Sequence, residues 1–119
     1  MKMDEFRREM EAYRRQADEE ANRRKDAVLV ERRLLQLYAR FDANERHMAD
    51  QVFSEWALSK DEATRFIALV MIRHFKIVTA VPSLRKLAER LSEEQSPGAP
   101  FELEKVERIT TEITSVRPS

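Results

Sequence analysis

Three features of this sequence predict an all-α fold. Glycine occurs once, at Gly98, and proline four times, so the residues that build the tight turns of an all-β chain are scarce. Neither type interrupts the chain before Pro82. Apolar residues also recur at spacings of three and four along most of its length, the period of a helix with one buried face. At 119 residues, 42% apolar and 37% charged, the chain has the length of one small structural domain with a heavily charged surface. The expected architecture is five or six helices, the N-terminal one long. Residues 1–41 form an N-terminal helical segment, 42–92 a helical repeat, 93–100 a linker, and 101–119 a C-terminal capping helix and tail.

Met3, Phe6, Met10, Tyr13 and Ala17 fall on one helical seam, as in a coiled coil or a bundle helix. The same frame then meets Glu20 and Arg24, and a wider stripe resumes at Ala27, Val30, Leu34, Leu37, Tyr38 and Phe41. This fits either one helix with a polar waist or two helices breaking near Asn22 to Asp26, with Asp26 as N-cap of the second. Asp42 or Asn44 can cap the next helix, whose inner face carries Met48, Val52, Phe53 and Trp56. Ser59 and Glu62 have capping-box spacing and start a helix with Ala63, Phe66, Ile67, Val70, Met71 and Phe75 expected inside. Lys76 to Val78 reads as a turn and Thr79 as the next cap. Pro82 is tolerated in the following first turn, where amides lack helical acceptors. Val81, Leu84, Leu87, Ala88 and Leu91 form that helix's buried face. Leu103, Val106, Ile109, Ile113 and Val116 suit a last helix, although the β-branched residues of ITTEITSV also allow a strand.

Read together, Asp61, Arg65, Ala68 and Ile72, then Ala80, Pro82, Leu84, Leu87 and Leu91, resemble a HEAT-type repeat of the PBS-lyase HEAT-like kind. Ala49 to Leu58 is similar to the second helix of a preceding repeat, so the resemblance covers about Ala49–Leu91. It implies a short α-solenoid whose concave face binds another protein. It also implies that Asp61 and Arg65 hold neighbouring turns together. The turn HFKIVT lacks the glycine many such repeats carry, and the first forty residues match nothing in the family. Flanking helices must then cap the single recognisable repeat.

The chain has 22 basic and 22 acidic residues, without the basic excess of a nucleic-acid binder. The doublets Arg7-Arg8, Arg14-Arg15, Arg23-Arg24 and Arg32-Arg33 leave a common face after the second and are interleaved with carboxylates, which reads as an ion-paired surface. There is no cysteine, no signal-like apolar leader, and no apolar run long enough for a bilayer; a soluble cytoplasmic protein is expected. His47 and His74 are the only histidines and lack the spacing of a zinc site. With one glycine there is no phosphate-binding loop, and no carboxylate pair stands out as acid and base. No catalytic residue, metal or cofactor is therefore expected.

The expected function is stoichiometric binding of another protein. Small helical-repeat proteins of this kind resemble bacterial immunity proteins, which implies a cognate toxin as the sharpest form of partner. Arg65, Arg73, Lys76, Arg85 and Lys86, near the repeat turns, are candidates to rim a face for an acidic partner. Phe53, Trp56 and Phe66 are candidate anchors, with core packing the simpler role for all three. The alternative is a homodimerising adaptor using the Met3, Phe6, Met10, Tyr13 and Ala17 seam.

Overall fold

A computed structural model describes residues 2–115. Among them the regular structure is entirely helical: α1 (Met3–Arg24), α2 (Leu29–Arg40), α3 (Ala43–Trp56), α4 (Glu62–Phe75), α5 (Val81–Glu93) and α6 (Ala99–Thr114). One 3₁₀ turn, Val78–Ala80, leads into α5. The chain divides into two compact units, Met1–Val52 and Phe53–Ser119, so the division falls within α3.

In the first unit α1 packs on α2. Phe6, Met10 and Ala17 of the seam are buried, as are Leu29, Val30, Leu34 and Tyr38. The rings of Phe6 and Phe41 lie 5.4 Å apart. Helix α1 stops where Lys25 turns left-handed, at φ 53°. Asp26 is not the cap of α2: that position is Val28, which makes no side-chain cap bond. The Asp26 carboxylate instead accepts from the Val28 amide and from Arg32 at 2.8 Å, so it ties the turn to the helix. Ala27 sits in this turn and is exposed. At α3, Asp42 and Glu45 form a reciprocal capping box: each carboxylate accepts the other's amide, at 2.8 and 3.0 Å.

The second unit is centred on α6, which packs on both α5 and α4. The cap of α4 is Asp61, two residues beyond the expected Ser59. Its carboxylate accepts from the Thr64 amide and hydroxyl, while Ser59 Oγ accepts from the Asp61 amide. The buried face of α4 is also turned from the expected stripe. Thr64, Ala68, Leu69, Met71 and Ile72 are inside; Ala63 and Phe66 are exposed, and Ile67, Val70 and Phe75 half-buried. Helix α4 is apolar almost all round, so periodicity fixes its type but not its rotation. The side that faces inward is the one bearing the small residues Thr64 and Ala68.

Ala80, not Thr79, precedes α5, and Pro82 lies in its first turn. Val81, Leu84, Leu87 and Leu91 are buried and Ala88 half-buried. Helix α6 begins at Ala99, ahead of the expected 101, and buries Ala99, Val106, Ile109 and Ile113, with Leu103 half-buried. Val116 lies outside the described residues. The β-branched segment is helical, and the hydroxyls of Thr110, Thr111 and Thr114 donate to the carbonyls four residues back.

Lys76 closes α4 in the left-handed conformation, at φ 50°, and its amide donates to Arg73 and Ile72. An L side chain is strained there and glycine is not. Lys76→Gly is therefore expected to stabilise the protein by about 0.5–1 kcal/mol, read as a rise in melting temperature. Lys76→Val should lower it.

Candidate functional site

Arg65 stands at the meeting of three elements of the second unit. Its guanidinium donates twice to the Glu102 carboxylate of α6, at 2.7 and 2.9 Å. It also donates to the carbonyls of Ser59 and Lys60 in the α3–α4 connection, both at 3.2 Å. Arg90 of α5 donates to Leu58 and Ser59 carbonyls of the same connection. The Arg65 and Glu102 side chains are only 11% and 19% exposed. The hydrogen bonds to Glu102 raise the Arg65 pKa further above its already high ordinary value, outweighing burial. Arg65 is therefore a fixed wall, since its charge is spent on Glu102.

Beside this pair an open groove of about 500 Å³ runs between α4, the start of α6 and the connection before it. Its apolar surface comes from Phe66, Leu69, Ala99 and Phe101. Phe66 is 51% exposed and Phe101 77%. Single exposed apolar side chains are ordinary; here two phenylalanines share one groove with a polar rim. The Lys105 ammonium lies 4.2 Å from the centre of the Phe66 ring. Glu62 and Glu94 stand on the rim; neither forms an ion pair among the described residues, and Glu94 accepts only from Ser96 Oγ, at 2.8 Å.

Of the five basic residues expected to meet a partner, only Arg65 lines this groove. Arg73 is bound across to Glu112 of α6 at 2.9 Å. Lys76 is the α4 cap, and Arg85 and Lys86 are exposed on α5. Phe53 and Trp56 are buried core residues with rings 5.7 Å apart, so Phe66 alone of the three candidate anchors is available. Phe101 escaped the sequence reading because it sits off the α6 stripe. That offset was itself the signal, since a large aromatic on a helix's outer side has no core to fill.

In the first unit, Tyr13 is half-buried and donates to the Arg33 carbonyl at 3.2 Å, and Met3 is half-buried. Beside the seam a recess of about 130 Å³ is lined by Phe6, Met10, Tyr13, Leu37 and Phe41 among others. Each arginine doublet expected to be ion-paired has a paired member: Arg7 with Asp4, Arg14 with Glu11 and Asp18, Arg24 with Glu20, and Arg32 and Arg33 with Asp26 and Glu20. His47 and His74 are exposed. Among the described residues no three His, Asp or Glu side chains gather where a metal could sit, and no helix is long and apolar enough to cross a membrane.

Tyr38, buried in the same unit, donates to Asp50 at 2.9 Å, and Arg46 lies over its ring. Burial first, then the Asp50 hydrogen bond and charge, push the Tyr38 pKa up to about 12. Burial also raises Asp50, against the lowering effects of the Tyr38 bond, His47 and Arg46. Both groups hold protons more tightly folded than unfolded. Asp50 thus contributes fully below the ordinary carboxylate range, and its contribution falls as pH rises through the raised value. Tyr38 contributes up to about pH 10 and loses that contribution as pH rises through about 12. Asp50→Asn removes the buried charge and keeps an acceptor for Tyr38. It is expected to melt above the parent at neutral pH, with the gap closing in acid, and melts across pH read both effects.

No family model, curated protein or solved structure matches the chain.

Proposed function

We propose that the protein is a non-catalytic binding module that holds another protein in the groove between α4 and α6. One observation carries this reading: Phe66 and Phe101, large apolar side chains on two different helices, are both left exposed on one groove. A folded chain leaves such surface in water when something else covers it. The groove is open and framed by charged side chains, whereas pockets that bury small ligands enclose them. The HEAT-like spacing of Asp61, Arg65, Pro82, Leu84 and Leu87 supports the same reading, because helical-repeat proteins work by presenting such surfaces. Its sharpest form is an immunity protein acting in the cytoplasm, with a toxin as partner and a one-to-one complex as product.

The homodimerising alternative draws less support. Phe6, Met10 and Ala17 are already packed within their own unit, and the recess beside them is about a quarter of the groove's volume.

The test is capture from the native host with the parent chain and with Phe66→Ala/Phe101→Ala, followed by native mass measurement of the complexes. A one-to-one complex formed by the parent and lost in the variant is expected. A partner retained equally by both would place binding elsewhere.

A further inference from the structure

We infer that the groove takes a basic amphipathic segment of its partner: two bulky apolar side chains against Phe66 and Phe101, and a lysine or arginine beside Glu62 and Glu94. The inference rests on the reading of the groove as a docking site and adds the chemistry of the occupant. It reverses the expectation of an acidic partner at this groove, because Arg65 and Arg73 are already paired and Lys76, Arg85 and Lys86 do not line it. Arg65 is held by Glu102, and Arg73 by Glu112. On its rim stand two further carboxylates. Glu62 lies in the first turn of α4 and Glu94 just past the end of α5, and both line the groove without an ion pair among the described residues. Their field reaches into the groove, where both hold the Arg65 charge more firmly.

Charge complementarity of this kind selects among partners and speeds encounter. The same carboxylates disfavour the other occupants of an exposed aromatic pair. A second copy meeting the groove face to face doubles the number of rim carboxylates in the contact, which costs binding relative to a basic segment. Anionic lipid headgroups and nucleic-acid phosphates are repelled by the same rim. Lys105, a second cation lining the groove, lies over the Phe66 ring. It opposes a basic ligand and must swing aside when an apolar side chain covers the ring. Lys105→Gln is therefore expected to tighten binding a few-fold.

A displayed random peptide library, selected on the parent chain and counter-selected on Phe66→Ala/Phe101→Ala, tests the occupant directly. The expected consensus is two bulky apolar residues one helical turn apart with lysine or arginine next to them. Glu62→Lys/Glu94→Lys should weaken the best peptide by about tenfold, most strongly at low salt, and shift selection toward acidic sequences. Enrichment of apolar peptides with no charge bias, or with an acidic one, would overturn the inference and leave the docking reading intact. No enrichment over the alanine variant would remove the docking reading itself. Concentration-dependent dimerisation that disappears in Phe101→Ala would assign the groove to a second copy.

Discussion

Leu87→Ala is expected to cost about 3–5 kcal/mol and leave the second unit close to unfolded at ambient temperature. Leu87 is fully buried on α5, the helix that packs most extensively on α6. Truncation removes the transfer free energy of its methyls and leaves a cavity between two helices that cannot close on it. The consequence is large because the unit is small. At 0.05–0.15 kcal/mol per residue, a unit of this length holds roughly 3–10 kcal/mol in all. Urea unfolding followed by hydrogen exchange on α5 and α6 reads the loss. A change below about 1 kcal/mol would mean that α5 and α6 do not share a tight core.

Glu102→Ala is expected to destabilise the same unit by about 2–3 kcal/mol. The substitution leaves the Arg65 guanidinium, mostly shielded from water, without the carboxylate that takes two of its N–H groups. Glu112→Ala makes the internal control. It removes the partner of Arg73 by the same chemistry, but those side chains are 55% and 40% exposed, so the expected cost is below about 1 kcal/mol. Arg65→Lys is not expected to substitute for arginine, because an ammonium cannot make the two parallel bonds. A double-mutant cycle on Arg65 and Glu102 should return a coupling of at least about 1.5 kcal/mol; additivity would show the two residues to be independent.

The helices themselves were legible because the signals are local. Spacing of Leu84, Leu87 and Leu91 gives the buried side of α5, and the carboxylates of Asp42 and Glu45 sit at capping-box distance. Rotation was legible only where a helix has one apolar side. In α5 polar residues fill the outer face, and the inner one follows. In α4 both sides are apolar, and the choice between Phe66, Ile67 and Val70 or Ala68, Met71 and Ile72 rests on what packs against it. The groove depends on that choice, so it was hidden with it. The partner of Arg65 lies 37 residues away, on a helix the sequence assigned to capping, and no spacing rule reaches that far. Caps were misplaced for a related reason. Ser59, Thr79 and Asp26 all have cap chemistry, but where the chain turns decides which neighbour takes the bond.

Amide hydrogen exchange on the protein alone and with its captured partner tests the groove most directly. Binding in the groove predicts slowed exchange in the first turns of α4 and α6 and in residues 94–98, with α1 and the outer side of α5 unchanged. Protection confined to α1, or to α5 around Arg85 and Lys86, with the α4–α6 groove unaffected, would contradict the account.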